Sequence, residues 1–477
     1  MKPKTNCTWR VFARLLFSIS IISICSDGFA GEGAVDTTFN VVANNPVYST
    51  LVQPNGRILI GGAFNTINGV QRYGFARLFP DGSLDTSISN VISGGGTVYA
   101  MLVQPDGKFV LAGNFQVFGQ TTTHFDIVRL NVDGSVDGTF TNSVPSGQSI
   151  FAVALQTDGK ILIGGTMQQV GGTNHNLIAR LNTDGTVDNS FNAGTISGNM
   201  VNAIAVQNDG NILMGGSFSQ FVTYGLTRLN IARLTTNGTP DISYTGSASS
   251  TAQSVFLEPS GKSVWAGAFT SLDNFSRSRV GRLNTDGSLD GTFGAIQGQG
   301  AAGTLYDVVE DTNANIYVGG QFSTYNGLPR IGVARLFSDG TMDTNFNITT
   351  NFPPVPLVRC VALQPDGKVI VGGSFTTWTG FGRTNLVRLY GNNYPAEIVT
   401  QPRSTNVAVG ANVTFSVDVS NPTPVDYQWF YNGSAIPGAT DNEYSVFNAQ
   451  LDDSGTFSVF VNSSLGGTMS SNAVLQV

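Results

Sequence analysis

Short apolar runs, each closed by a turn signal, follow one another along most of this chain. From residue 47 the order is "VYSTLVQP", the turn "NG", "RILIGGAF", a polar loop, "GFARLF", the turn "DG" and "SLDTSI". Runs of this length between Asn-Gly and Asp-Gly pairs predict four short antiparallel strands, joined by two tight hairpins and one longer loop.

The pattern then repeats. A small-Gly pair recurs at Gly61-Gly62, Ala112-Gly113, Gly164-Gly165, Gly215-Gly216, Ala266-Gly267, Gly319-Gly320 and Gly372-Gly373, spaced by 51, 52, 51, 51, 53 and 53 residues. An Arg-Leu pair follows each one, at Arg77, Arg129, Arg180, Arg233, Arg282, Arg335 and Arg388. Four strands per unit with a period near 50 is the signature of a propeller blade. A closed ring also removes the long sheet edges that an open stack would leave.

Closure leaves its own trace. An aspartate follows six of the arginines by eight residues, at Asp85, Asp137, Asp188, Asp241, Asp290 and Asp343, within the last strand pattern of each unit. After Arg388 that strand is missing, and its counterpart, "GAVDTTF", stands at residues 33–39. A strand displaced to the N-terminus is how a ring is latched. The spacing therefore predicts seven structural ion pairs, six within blades and a seventh joining Arg388 to Asp36 across the closure. The glycine pairs are read as sites of unusual backbone angle or close sheet approach.

The combination of QPDGK, the glycine pair, ARL and DGSLD resembles the delta-60 repeat of bacterial secreted and surface proteins, over about 360 residues in seven copies. The resemblance implies an extracellular β-propeller module and carries no catalytic residues, cofactor or ligand with it. Copy six, "EDTNANIYVGG", lacks the Pro-Asp-Gly turn, so its hairpin is expected to be looser. The Tyr and Trp pattern of kelch blades is absent, as is the stacking tryptophan of quinoprotein propellers.

From about Ala396 the pattern changes. "NVTFSVDV", "DYQWFYNG", "NEYSVF", "DDSGTFSVFV" and "SNAVLQV" alternate at sandwich spacing. They resemble an immunoglobulin-like domain in which Val417 and Val459 stand where antibody domains place two cysteines. Trp429 is the core tryptophan, and Phe457 takes the place of the corner tyrosine, losing its hydroxyl. The expected fold is thus all-β. A leader at 1–30 precedes a seven-bladed β-propeller over 31–391, a linker at 392–395 and an immunoglobulin-like β-sandwich over 396–477.

The leader rests on Lys2, Lys4, Arg10 and Arg14 ahead of "LLFSISIISIC", with Gly28 and Ala30 marking a cleavage site after Ala30. Lipid attachment at Cys25 is disfavoured by the bulky Ile24 before it. No later run is long enough to span a bilayer, so the mature chain is expected to be secreted or held at the cell surface. Removing the leader takes four of 24 basic and one of 31 acidic residues, leaving 20 against 30. An acidic chain without a basic cluster argues against nucleic acid and anionic membranes. Only Cys360 remains after cleavage, so stability must come from burial and not from disulfides.

Catalytic chemistry is sparse. His124 and His175 lie in equivalent loops of adjacent units, without a third ligand at suitable spacing, so no metal is expected. "LNTDGSLD" looks like a calcium loop, but it would place Arg282 first and Phe293 twelfth, where carboxylates are needed; Asp-Gly turns are the better reading. Binding is instead expected in the divergent loops between second and third strands, through Tyr73, Tyr224, Phe275, Tyr325, Trp378 and Phe381. Trp378 has no counterpart in the other copies and leads that set. The favoured function is non-enzymatic binding or adhesion to an extracellular glycan or protein, without a cofactor. An extracellular polysaccharide hydrolase or lyase, with carboxylates at the ring mouth, and a purely structural envelope or stalk piece are the alternatives.

Overall fold

The computed structural model describes residues 32–117, 125–141, 144–145, 147–294, 300–348, 355–391, 397–420, 425–463 and 466–477. The leader, Cys25, His124 and the 392–395 linker lie outside these residues. Seven antiparallel sheets of one build follow each other, each with an inner, a middle and an outer strand. In blade one these are Val47–Val52, Ile58–Gly62 and Phe75–Leu78; in blade seven they are Leu357–Leu363, Val369–Ser374 and Leu386–Leu389. The middle strands are buried along their length in blades one, three, five and six. Both of their faces meet apolar side chains of neighbouring blades, which is why they read as unbroken apolar runs. Leu162 of blade three, for example, packs with Val201 and Ile212 of blade four.

The fourth strand is shorter than the sequence pattern suggests. In the first six blades the outer strand meets it at a single bridge, from Leu78 with Leu84 to Leu336 with Met342. The aspartate that follows stops the ladder. Asp85 Oδ1 accepts hydrogen bonds from Ser87 N at 3.0 Å and Ser87 Oγ at 2.6 Å, forming an Asx turn in place of further pairing. The Asp-Gly turns close in the same manner: Asp286 Oδ1 accepts from Ser288 N at 2.9 Å and Ser288 Oγ at 2.7 Å.

The ring closes through residues 33–36. Val35 bridges Leu389, Asp36 N donates to Arg388 O at 2.9 Å, and Tyr390 N donates to Ala34 O at 2.9 Å. Asp36 is fully buried, with Arg388 Nε 2.7 Å and Lys368 Nζ 3.3 Å from its Oδ2. Behind this latch, Val47, Ile58 and Ile60 of blade one share an apolar cluster with Cys360, Ala362 and Ile370 of blade seven.

The other rim arginines repeat that arrangement. Arg129 Nε lies 2.7 Å from Asp137 Oδ2, its Nη1 donates to Thr183 O of the next blade at 2.5 Å, and its guanidinium lies 4.8 Å from the Phe140 ring centroid. Arg388 reaches Pro80 O of blade one, so the chain of contacts between blades continues across the closure. At blade six, Arg335 instead pairs with Glu32.

Copy six does not have the looser hairpin expected of it. Asp311 Oδ1 accepts from Asn313 N at 2.8 Å and Asn315 N at 2.9 Å, while Ala314 takes the left-handed conformation, φ 61°, usually given to glycine. The turn closes as in the other copies, Asp311 N donating to Asn315 O at 2.9 Å and Ala314 N to Asp311 O at 3.0 Å, with Ala314 standing for the glycine.

In the C-terminal domain Trp429, Val417 and Val459 lie in one buried cluster, and Trp429 Nε1 donates to Asp441 O at 2.9 Å. The hydroxyl missing at Phe457 is supplied from the neighbouring strand. Tyr431 Oη donates into the 451–454 turn, 2.9 Å from Asp452 O, and its ring lies 5.0 Å from that of Phe457.

Candidate functional site

The loop aromatics divide into two groups. Phe275 and Phe381 are 54% and 43% exposed, and Tyr224, also exposed, donates to Asn192 O at 3.1 Å. Tyr73 is half-buried against the core of blade two. Trp378 and Tyr325, in contrast, are each only 2% exposed and cannot offer a ring face to a ligand. Trp378 does have counterparts. Ile67, Val170, Phe221, Leu272 and Tyr325 stand at the same distance past the glycine pair, and all are buried. In all of these copies that position is an inward seat of the loop, and in blade seven an indole fills it, 5.1 Å from Phe375.

A different set of residues converges at the ring axis. Each inner strand carries a β-bulge opposite the second glycine of its pair: between Val47 and Ser49, Val98 and Ala100, Val201 and Ala203, Ala252 and Ser254, Leu305 and Asp307, and Val358 and Cys360, with the equivalent in blade three at Phe151. The second glycine permits it. A Cβ on Gly62 would fall on Pro46 O, and on Gly216 it would fall on Met200 O, so any side chain there would push the inner strand away. The first position tolerates alanine, as Ala112 and Ala266 show, because it meets side chains instead of backbone.

The bulged residues are Tyr48, Tyr99, Phe151, Asn202, Gln253, Tyr306 and Arg359. All of them line a central cavity of about 710 Å³. The Tyr48 and Tyr99 rings meet edge-on at 5.2 Å, and those of Tyr99 and Phe151 at 5.0 Å. The Arg359 guanidinium lies 4.3 Å from the Tyr306 centroid and 5.8 Å from that of Tyr48. These contacts make a continuous arc, Tyr306–Arg359–Tyr48–Tyr99–Phe151, with the amides of Asn202 and Gln253 completing the circle.

One layer further along, the wall is small in most blades, at Ser49, Ala100, Ala152, Ala203 and Ser254, but holds Asp307 and Cys360 in blades six and seven. Asp307 accepts from Val361 N at 2.8 Å, Val308 N at 2.9 Å and Ser254 Oγ at 3.0 Å. Burial nevertheless lifts its pKa above the ordinary carboxylate range, and burial likewise pushes the Cys360 thiol up. A thiol so far from ionisation is a poor nucleophile. Among the described residues no group of three His, Cys, Asp or Glu is placed to hold a metal ion, and burial lowers the pKa of His175. No helix of the described residues is long and apolar enough to cross a membrane.

Sequence reasoning passed over the bulged residues because each is a single position inside an apolar strand. The available signal was an aromatic or polar residue breaking that strand at one place in every copy, opposite a glycine present in all seven.

The family model described as "Domain of unknown function (DUF5122) beta-propeller" matches residues 53–87, 104–140, 156–191, 207–244, 258–293, 315–346 and 364–390. An immunoglobulin domain model matches residues 395–463. Nothing among the curated proteins matches the chain. Solved structures similar to it include titin M4 in a trigonal form, at 25% identity over 17% of this chain and 95% of that one, with a TM-score of 0.16. A chimeric titin Z1Z2 carrying a decorin peptide has 32% identity over 17% and 94%, with a TM-score of 0.16. The N-terminal Ig1-2 module of the Drosophila receptor protein tyrosine phosphatase DLAR has 14% identity over 34% and 89%, with a TM-score of 0.17.

Proposed function

This chain belongs to the DUF5122 beta-propeller family, with an immunoglobulin-type domain behind the ring, and from that premise we propose that it is a secreted or surface-held binding protein whose ligand enters the central channel. One observation carries the reading. Seven copies repeat the glycine and the bulge, yet the residue each bulge turns into the channel differs: three tyrosines, a phenylalanine, an asparagine, a glutamine and an arginine. A scaffold without a ligand gains nothing from such a varied lining, whereas a pocket of this volume lined by aromatic rings and a few polar groups suits a small molecule or one end of a chain. The delta-60 resemblance, the leader ending at Ala30 and an extracellular glycan or protein as source of the ligand belong to this proposal. So does the absence of turnover: among the described residues the channel presents one carboxylate, Asp307, where glycoside hydrolysis uses two.

The test is calorimetry with the leader-free chain, residues 31–477, against soluble oligosaccharides and short peptides. A ligand whose affinity falls at least tenfold in Tyr99→Ala and is unchanged in Phe381→Ala supports the channel. Binding that follows Phe381 moves the site to the loops and overturns it.

A further inference from the structure

Arg359 differs from the rim arginines. Each of those has an aspartate and a backbone or carboxylate partner beyond it, whereas Arg359 makes no hydrogen bond or ion pair among the described residues. Its Nε is buried without a partner. The side chain is half-buried, held against two tyrosine rings, and lines the cavity. Asn202 Nδ2 is likewise buried and unpartnered on the same circle. Buried donors left unpaired are costly, and native structures keep few of them without reason.

We propose, resting on the channel reading above, that the ligand carries a carboxylate and that Arg359 is its counter-ion. The rings of Tyr306 and Tyr48 restrict the guanidinium, so the entropy cost of ordering a long side chain is met before binding. A planar guanidinium so held matches a carboxylate through two parallel N–H···O bonds. The charge balance favours a monoanion: among the described residues there is one cation on the circle, no lysine on the lining, and the Asp307 carboxyl in the adjacent layer. The amides of Asn202 and Gln253 provide donors and acceptors for hydroxyl or amide groups, and the arc of Tyr48, Tyr99 and Phe151 provides faces for C–H groups. A sugar acid and the carboxylate end of a peptide share this chemistry.

The probes are D-glucuronate and its oligomers, glucose as the neutral equivalent, and N-acetyl amino acids, titrated calorimetrically into residues 31–477. Wild type is expected to bind at least one carboxylate probe and to bind its neutral equivalent at least tenfold more weakly. Arg359→Gln should weaken the carboxylate probe on the order of 100-fold, and Arg359→Lys less, since it keeps the charge but loses the fork. Arg403→Gln, at an exposed position, should change nothing. Glucuronate binding without N-acetyl amino acid binding identifies the sugar source, and the reverse identifies the peptide source. Thermal unfolding of Arg359→Gln should match wild type within a few degrees, because no hydrogen bond or ion pair is lost and only the ring contacts of Tyr306 and Tyr48 go; if it fails to fold, Arg359→Lys serves alone. A neutral ligand lost in Tyr99→Ala but unmoved by Arg359→Gln overturns the carboxylate and leaves the channel reading standing. A channel that takes none of the probes overturns the carboxylate, and loss of every Tyr99-dependent ligand overturns both.

Discussion

At the rim of the ring, seven arginines are each held by an aspartate, and most also by a carbonyl of the next blade; on the channel wall, one arginine has tyrosine rings around it and no side-chain hydrogen bond among the described residues. Both regions come from the same repeat. The rim keeps residue type constant and satisfies it, while the wall keeps only the backbone constant and varies the side chain. A polar group that is repeated and paired is accounted for by the ring itself. The arginine that appears once, with rings around it and no hydrogen bond, is the one the proposal gives to a ligand.

The rim can be broken most severely at its seam. Asp36→Ala removes the buried carboxylate shared by Arg388 and Lys368 and leaves both cations without it. Stranding buried charge costs about 3–5 kcal/mol, and here the loss falls on the strand that latches blade seven to the chain start. Urea unfolding should show a midpoint shift of that size, and limited proteolysis should release residues 32–45 first. A variant as stable as wild type would mean that the strand pairing of Val35 with Leu389 closes the ring without help from the charges.

A second substitution tests whether the wall depends on the bulge. Gly62→Ala places a methyl on Pro46 O, so blade one must lose its bulge or shift its inner strand, at about 2–4 kcal/mol. Gly61→Ala meets the side chains of Val98 and Met101, which can move, and blades two and five already carry alanine there. Denaturation midpoints should separate the two variants clearly. The tyrosine fluorescence of the channel should change in Gly62→Ala alone, because Tyr48 is the residue that the bulge carries.

Most of the ring was legible because it is written in pairs at fixed spacing: Arg with Asp eight residues on, an apolar strand with its Asp-Gly turn, and "GAVDTTF" standing apart from the array it completes. What could not be read has specific causes. The fourth strand looked whole because Asp85 has no sequence mark telling whether its carboxylate will cap a turn or leave the ladder intact. Trp378 stood out as a rare residue type, when its place in the repeat, shared with Ile67 and Leu272, made it a core position. The channel residues lie at bulges, where the two-residue alternation of a strand is interrupted, so no periodicity points at them. Copy six looked weak because its turn lacked glycine, but Ala314 stands for the glycine and the hairpin closes as in the other copies.

Acidity separates rim from wall with the smallest expected effect. Asp137, Asp188 and Asp290 are held below the ordinary carboxylate range: burial opposes this, but hydrogen bonds from lysine, from Thr or Ser and from the rim arginine outweigh it. Their contribution is present above the unfolded value near 3.8 and is lost as pH falls below it. Asp307 on the wall is raised by burial, and so is Asp126, to about 6, so each binds its proton more readily in the folded chain. For these two the sign reverses, and folding becomes more favourable as pH falls from 7 toward 4. The melting temperature should therefore rise modestly between pH 7 and about pH 4.5 and then drop steeply as the rim carboxylates are protonated. Asp307→Asn isolates the wall: whatever its offset at pH 7, it should remove part of the rise and leave the acid limb where it was. If the rise survives in Asp307→Asn and disappears in Asp126→Asn, the proton taken up on folding belongs to Asp126, in the outer strand of blade two, and the channel carboxylate takes up none.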